Sequence, residues 1–270
     1  SLVRIKVRPN GDAQQGIGTA KATWRDATGQ KFHRGLEYSL YDHIGPVEWF
    51  PEAACRLVHL PLTMPWFQVA YLPGAGDETA TYLEKAGLKI QEVSLQKLLD
   101  KQVDAPVLLV GIRAMNVAEN PANLKRALED YAREGGTVIM QYNTSWGLDD
   151  PEVLDGLSLS RNRITDETAP LSHSETRHMI TMRPLPIEDQ DFEGWVQERG
   201  LYFAGKWSPE WADVLRGADP GEEEVGGMLM VRSYGKGTLI YTGLSFFRQL
   251  PAGVPGAYKL LFNMLQYGQQ

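Results

Sequence analysis

The sequence contains little cysteine and has no long run of basic or apolar residues. One cysteine, Cys55, occurs among 270 residues, which excludes an internal disulfide framework and a cysteine-rich metal site. No stretch approaches the roughly 20 apolar residues of a membrane helix. Phosphate binding needs a concentrated basic face, whereas this chain has 27 basic and 34 acidic residues and a net charge of −7. We therefore expect no nucleic-acid partner and no membrane span.

Common catalytic and cofactor motifs are also missing or incomplete. Neither Gly-x-Cys-x-Gly nor Gly-x-Ser-x-Gly occurs. The glycine loop at residues 74–77 could place backbone amides around an anion, but Thr79 stands where a dinucleotide-binding loop has its third glycine. The favoured interpretation is a tight turn in which Asp77 caps the following helix, and no cofactor is predicted.

The histidines do not have the spacing of a standard zinc helix. His173 and His178 are five residues apart, and Glu175 lies between them. This cluster could in principle hold a metal, yet the spacing does not match the usual zinc motifs. We predict no metal site. Cys55 lies in a strand-like region, where a packed free thiol is the favoured interpretation.

The N-terminal part has the pattern of short β-strands. Residues 3–8, 19–24, 31–40 and 55–60 are strand-like and are separated by turn residues. Four short strands without a helix can hardly bury both faces alone. We predict that residues 1–63 form a β-strand appendage that is part of a β-sandwich. Because the chain starts directly in a strand-like run, we also expect it to be a fragment of a longer protein.

Residues 66–270 alternate between strand and helix patterns, which is typical of an α/β domain with a mostly parallel sheet and helices on both faces. An irregular insertion is predicted at about residues 147–225, and a hairpin turn at residues 234–237. The predicted elements, in chain order, are strand 68–72, helix 79–86, strand 88–93, helix 95–101, strand 106–111, helix 120–134, strand 137–140, strands 228–233 and 238–242, and helix 257–267.

The strand at residues 137–140 ends in the polar segment Gln141-Tyr142-Asn143. In open α/β sheets, ligands bind at the carboxyl ends of strands. Polar and aromatic residues that follow predicted strand ends, or that lie in the insertion, could line one crevice there and bind a sugar-like or flat ligand. These candidate binding residues are Arg113, Asn116, Gln141, Tyr142, Asn143, Arg161, Arg163, Trp195, Gln197, Glu198, Arg199, Tyr202, Phe246 and Arg248.

Two alternatives to ligand binding remain open. The arginines could pair with Glu198 and Asp191 in a structural network. Alternatively, Thr144 or Ser145 could serve as the nucleophile of a divergent hydrolase, which would require a neighbouring base and an oxyanion hole. No catalytic residue is assigned, because neither hydroxyl has a defined base in the sequence.

Several segments resemble a known family. Most of the chain, from about residue 38 onward, is similar to the C-terminal region of large bacterial LmbE/PIG-L family proteins. In that family a zinc-dependent N-acetylglucosamine-type deacetylase domain is followed by β domains and a class I glutamine amidotransferase-like domain. The segments that carry the resemblance are GIRAMN (111–116), QYNT (141–144), SRNRIT (160–165), DFEGWVQERGLY (191–202) and YTGLSFFRQLPAGVPGAY (241–258).

The resemblance implies a flavodoxin-like, amidotransferase-like fold and a deacetylase as the parent protein, with an exported parent as one alternative. Two departures limit it. The chain has no Pro-His-Pro-Asp-Asp-Glu-type zinc motif, and Gln141-Tyr142-Asn143 stands where the amidotransferase cysteine is expected. We therefore predict a non-catalytic domain that binds a glycan or contacts other domains of the parent chain. The alternative is a divergent hydrolase that uses Thr144 or Ser145.

Overall fold

A computed structural model describes residues 15–41, 43–174 and 176–269. The chain divides into two compact units, Ser1–Pro61 (unit 1) and Leu62–Gln270 (unit 2). Each unit is described separately below. The strand predicted at residues 3–8 lies outside the described residues.

Unit 1 consists of short antiparallel strand pairs. In its described part, β1 pairs with β6, β2 with β3, and β4 with β5, as three separate two-stranded sheets. The strand predicted at residues 31–40 is divided in two, with Arg34 and Gly35 between the pieces. The strands are β1 (Gly16–Lys21), β2 (Trp24–Arg25), β3 (Lys31–Phe32), β4 (Glu37–Tyr41), β5 (Ile44–Trp49) and β6 (Ala54–His59).

No described residue of unit 1 is buried. Large apolar side chains are exposed on it, among them Trp24 at 67%, Leu40 at 75% and Trp49 at 55%. Short two-stranded pairs have too little surface to enclose a core. The buried core of the described chain therefore belongs to unit 2.

Unit 2 alternates strands and helices, with many short strands in its middle part. Its elements, in chain order, are β7 (Val69–Leu72), α1 (Thr79–Lys85), β8 (Ile90–Glu92), α2 (Leu95–Leu99), β9 (Val107–Val110), α3 (Ala114–Val117), α4 (Pro121–Arg133), β10 (Thr137–Gln141), β11 (Glu152–Leu154), β12 (Leu157–Leu159), β13 (Arg163–Ile164), β14 (Leu171–His173), the 3₁₀ helices Met179–Thr181 and Asp189–Phe192, β15 (Gly200–Leu201), β16 (Ala204–Trp207), β17 (Ala212–Asp213), β18 (Leu215–Gly217), β19 (Leu229–Tyr234), β20 (Gly237–Thr242), α5 (Phe246–Ala252) and α6 (Pro255–Gln266).

The described residues of unit 2 form a seven-stranded sheet in the order β17-β19-β20-β10-β9-β7-β8. Strands β20, β10, β9, β7 and β8 run parallel. Strand β19 is antiparallel to β20, and β17 is antiparallel to β19. The predicted α/β fold with a mostly parallel sheet is confirmed.

The central strands consist mostly of apolar residues because both of their faces are buried. Every residue of β7, β9 and β10 is buried. On one face, Leu108 and Val138 pack in a single cluster with Leu124 and Leu128 of α4. Parallel register places Val138 beside Leu108 and Leu239. Burial of this apolar face stabilises the domain by about 25 cal/mol per Å² of area removed from water.

Local sequence signals set the ends of α4. The Asn120 side chain accepts a hydrogen bond from the Asn123 N–H at 2.9 Å, and Pro121 occupies the first turn. Past the last turn, Gly135 has φ +124°, a conformation that suits glycine. The chain can therefore turn directly from α4 into β10.

The predicted insertion at residues 147–225 contains its own small sheets. Strands β11, β12 and β16 form one of them, while β13 pairs with β15 and β14 with β18. Strand β17 instead lies at the edge of the main sheet, where Ala212 pairs with Val231. The insertion is therefore joined to the main sheet by main-chain hydrogen bonding.

Candidate functional site

The candidate site lies where β9, β10 and β20 end. The Arg113 N–H donates to the Tyr142 carbonyl at 2.7 Å, which ties the residues after β9 to those after β10. Gln141 pairs with Thr242 at the end of β20. These contacts bring Arg113, Tyr142 and the start of α5 to one edge of the sheet, as expected for carboxyl ends of parallel strands.

The amides at the end of β10 serve the fold. Asn143 is fully buried, and its Oδ1 accepts from the Met115 N–H at 2.8 Å. Its Nδ2 donates to the Gln141 carbonyl at 3.0 Å. Gln141 is 1% exposed and its Nε2 donates to the Val110 carbonyl at 3.4 Å. Both side chains bind backbone groups inside the sheet end and do not face solvent.

Asn116 holds the loop that follows β10. Its Oδ1 accepts from the Thr144 N–H at 2.9 Å, and its Nδ2 donates to the Thr144 carbonyl at 3.0 Å. The Thr144 hydroxyl donates to the Trp146 carbonyl at 2.9 Å. The Trp146 ring itself is 75% exposed. This loop has a fixed backbone and presents an aromatic ring to solvent.

The hydroxyls of the two residues that follow β10 and Asn143, Thr144 and Ser145, have no base among the described residues. The Thr144 hydroxyl is bonded to a carbonyl, and in the described part of the chain no hydrogen bond joins Thr144 or Ser145 to a His, Asp or Glu side chain. A nucleophilic hydroxyl needs such a partner. The geometry therefore supplies a hydroxyl without the group that would activate it.

The two histidines of unit 2 lie elsewhere. His178 packs against Tyr267 at 5.4 Å, and the Tyr267 carbonyl accepts from Thr137 at the first residue of β10. Thr137 and Gln141 are at opposite ends of this strand, about 13 Å apart at 3.3 Å per residue. His173 lies on β14, paired with Leu215. Burial lowers the pKa of both histidines, and the Arg177 charge lowers that of His173 further.

The histidine cluster considered as a metal site includes Glu175, which lies outside the described residues. In the rest of the chain that the structure describes, no group of three or more His, Cys, Asp or Glu side chains has the geometry to hold a metal ion.

An aromatic and cationic surface borders the buried amides. The rings of Tyr142 and Tyr202 stack at 6.3 Å with 10° between their planes. Phe247 lies 5.2 Å from the Tyr142 ring, and the Arg248 guanidinium lies 4.8 Å from the centre of the Phe247 ring. We call Arg113, Tyr142, Tyr202, Phe247 and Arg248 the aromatic-arginine surface; Arg113 is exposed, Tyr202, Phe247 and Arg248 are half-buried, and Tyr142 is 7% exposed.

Electrostatics show that both arginines act on this surface. Burial raises the pKa of Tyr142, and the positive charges of Arg113 and Arg248 oppose that increase. Arg248 also donates to the Glu198 carboxylate at 2.7 Å and to the Gln197 side chain. Arg113 is exposed and makes no described side-chain ion pair. It is therefore the free cation of this surface among the residues that the structure describes.

The insertion contributes to the aromatic-arginine surface through residues 196–202, which are hydrogen-bonded to the chain after β20 and to α5. The Leu201 N–H donates to the Gly243 carbonyl at 2.9 Å, and the Ser245 N–H donates to the Arg199 carbonyl at 3.0 Å. The Gln249 side chain accepts from the Val196 N–H at 2.8 Å. Tyr202 and Glu198 are thereby held against the start of α5.

Left-handed backbone is concentrated around the surface. Arg113, Gln197 and Tyr202 have φ values of 55°, 68° and 54°. A residue with a Cβ loses roughly 1–2 kcal/mol in this region, and such residues concentrate at functional sites. The remaining described non-glycine case, Lys101, follows α2 and ends that helix. Three strained residues therefore border one candidate site.

Three further candidate binding residues are buried in unit 2 and do not face solvent. Trp195 and Arg199 are each 3% exposed, and Phe246 is fully buried. The Arg199 guanidinium donates to the Ala169 carbonyl at 2.9 Å and to the Phe192 carbonyl, and lies 5.7 Å from the centre of the Trp195 ring. These side chains support the segment beneath Tyr202.

Arg161 and Arg163 are exposed, and the described contacts do not join them to Arg113 or Tyr142. Two surface residues, Phe247 and Trp146, are absent from the set predicted from the sequence. The predicted set contains Phe246 and not Phe247, because the sequence at the start of α5 does not show which of the two rings faces the core.

Comparisons with known proteins do not identify a family. No family model matches the chain, and no curated protein matches it. Among solved structures, a β-galactosidase from Rahnella sp. R3 is similar over 75% of this chain and 31% of its own length, with 13% identity and a TM-score of 0.49. A putative GMP synthase component from Thermoplasma acidophilum matches 76% of this chain and 96% of its own length, with 9% identity and a TM-score of 0.47.

An exo-β-1,4-mannosidase from Opitutaceae bacterium strain TAV5 matches 74% of this chain and 35% of its own length, with 9% identity and a TM-score of 0.43. The chain thus spans about a third of the length of each of these two glycosidases. None of the described helices is long and apolar enough to cross a membrane. The similarities to these three solved structures assign no activity to the chain.

Proposed function

We propose that unit 2 is a non-catalytic carbohydrate-binding domain with a class I glutamine amidotransferase-like fold, and that it belongs to a larger LmbE-like deacetylase. The observation that carries the proposal is the composition of the edge where β10 ends. Buried amides stand at this edge, and beside them lie the half-buried rings of Tyr202 and Phe247 and the exposed Arg113.

The proposed flavodoxin-like arrangement requires helices on both faces of the sheet. Helices α2 and α4 pack together, and α4 covers the face that contains Val138. Successive residues of a strand point to opposite faces of the sheet, so Leu109 and Ile139 lie on the face opposite to Leu108 and Val138. They are also fully buried but do not belong to the cluster that packs against α4. Helix α6 contacts β10 and α5, and α5 contacts α1. These contacts support a second helical layer.

The absence of a paired base supports a non-catalytic role. Acid–base catalysis needs a titratable side chain within hydrogen-bond reach of the reacting group. Among the described residues, the Thr144 hydroxyl is bonded to the Trp146 carbonyl, and His178 lies near the far end of β10. No observation favours the hydrolase alternative.

The aromatic-arginine surface suits a sugar. The C–H faces of a sugar ring pack on aromatic rings such as Tyr202 and Phe247. Its hydroxyl oxygens accept hydrogen bonds from a guanidinium, which offers five donors. Arg113 is exposed and unpaired within the described residues, so it can donate without first breaking an ion pair. Trp146, exposed on the adjoining loop, adds a further ring.

The proposal predicts glycan binding that depends on Arg113. A glycan array should identify a ligand for the wild-type chain, and Arg113→Asn should weaken its affinity by about tenfold, as expected for one lost charge-assisted hydrogen bond. Asparagine tolerates the left-handed backbone at this position. Isothermal titration calorimetry measures the change.

Arg126→Gln is the matched control, because Arg126 is exposed on α4 and bonds only to the Asn123 side chain among the described residues. Its affinity should equal that of wild type. The proposal fails if no glycan binds the wild-type chain, or if both variants bind the identified glycan as tightly as wild type.

A further inference from the structure

A second candidate site lies at the other half of the sheet edge. Strand order places β7 between β8 and β9. The chain leaves β7 toward β8, in one direction across the sheet, and leaves β9 toward β10, in the opposite direction. In open α/β sheets a crevice forms at the carboxyl ends of two such neighbouring strands. A cavity of about 630 Å³ opens at this position.

The cavity has apolar walls and a charged rim. Leu72 at the end of β7, Val93 after β8 and Val117 at the end of α3 contribute apolar surface. Glu92, Lys97 and Glu119 also line it, and all three are exposed. None of these three forms an ion pair with another described residue. Their charges are therefore available to a ligand.

We propose that this cavity binds a small molecule with an apolar body and a cationic amine. Its volume lies within the range of about 300–1,000 Å³ that is typical of small-molecule sites. Two carboxylates against one ammonium give the rim a net negative charge, which favours a cation and disfavours an anion. The apolar walls bury the body of the ligand, while the exposed carboxylates meet its amine at the rim.

This site is separate from the aromatic-arginine surface. None of the residues that line the cavity belongs to that surface. Arg113 precedes α3, whereas Ala114 and Val117 of that helix line the cavity. The amine proposal therefore rests on residues other than those that carry the glycan proposal.

Three probes with one aromatic body and different charge test the proposal: 2-phenylethylamine, 2-phenylethanol and 3-phenylpropionate. Binding is measured on the whole chain by isothermal titration calorimetry at low ionic strength. The amine should bind about tenfold more tightly than the alcohol, because two exposed carboxylates each contribute modestly. The carboxylate probe should bind most weakly.

Two sets of variants locate the binding. The double variant Glu92→Gln/Glu119→Gln should reduce amine affinity to that of the alcohol, whereas Glu84→Gln, an equal charge change on exposed α1 surface, should not. Val117→Trp should block all three probes, since Val117 is 53% exposed and a larger ring there fills the opening.

The proposal is overturned if no probe binds, if the carboxylate probe binds as tightly as the amine, or if Val117→Trp leaves amine affinity intact. Circular dichroism of each variant verifies that a loss of binding is not a loss of folding.

Discussion

At the residue scale, the amide side chains at the end of β10 are compatible with two roles, ligand binding or hydrogen bonding to the protein's own backbone. The polar segment that starts at Gln141 predicts a ligand site from the sequence, because polar side chains at a strand end are suited to binding. In the structure, Asn143 satisfies the Met115 N–H and the Gln141 carbonyl. A buried backbone N–H or carbonyl group needs a hydrogen-bond partner. Only the folded structure shows which backbone groups are buried beside Asn143.

Replacing Asn143 by alanine should therefore destabilise the fold. The change removes two hydrogen bonds and leaves the buried Met115 N–H without its acceptor, at a cost of about 1–3 kcal/mol. Urea unfolding followed by circular dichroism measures this difference. Asn162→Ala is the control, since Asn162 is exposed and its side chain makes no described hydrogen bond. Equal stability of the two variants would contradict the structural role.

At the element scale, the α/β unit could be predicted because its signals are local. Helix α4 has Asn120 and Pro121 at its start and Gly135 beyond its end, and the middle of β10, residues 138–140, is apolar. The predicted bounds of these elements agree with the structure to within one residue. Periodicity and capping depend on neighbouring residues alone, so the sequence contains them.

The small strands of the insertion could not be predicted in the same way. Arg163–Ile164 pairs with Gly200–Leu201, and Ala212–Asp213 pairs with β19. Two residues are too few to show alternation, and each partner lies well away along the chain. The same limit applies to the candidate site, where the exposure of Phe247 and Trp146 depends on packing that the sequence does not show.

The glycine loop after β7 makes an element-scale prediction. The Ala75 N–H donates to the Ile112 carbonyl at 2.8 Å, and a Cβ on Gly74 would lie 2.0 Å from the same oxygen. Asp77 completes the closure by accepting from the Ile112 and Thr79 N–H groups. The loop therefore packs on the residues after β9, and these contacts support the interpretation as a tight turn.

Gly74→Ala should push this loop away from β9 and cost about 1–3 kcal/mol, as overpacking does. Chemical denaturation measures the cost, and hydrogen exchange should show faster exchange of the Ala75 amide. Gly18→Ala provides the comparison, because no atom lies within 4 Å of a Cβ added there. Unchanged protection of Ala75 would show that the close approach is not required.

At the scale of the whole molecule, the two units differ in how they can be stable. Every buried residue in the described chain lies between Phe67 and Leu265. Unit 1 has exposed rings such as Trp24 and Trp49 and no buried residue in its described part. We therefore assign the hydrophobic contribution to the free energy of unfolding to unit 2.

A chain shortened to residues 62–270 should accordingly fold with the stability of the full chain. Its midpoint of thermal unfolding should lie within about 2 °C of the full-length value, since 1 kcal/mol corresponds to roughly 2–4 °C for a domain of this size. Differential scanning calorimetry gives the comparison. A midpoint lower by about 5 °C or more would show that unit 1 contributes to the stability of the core.

The left-handed conformations of Arg113, Gln197 and Tyr202 have a consequence for sequence change over time. Selection for stability alone would drift toward glycine at such positions, because glycine adopts this backbone without steric cost. Under the proposed function, a lineage that no longer binds the glycan should therefore accumulate glycine there before its core changes. Retention of the three non-glycine residues among relatives would therefore indicate that the proposed glycan site is still under selection.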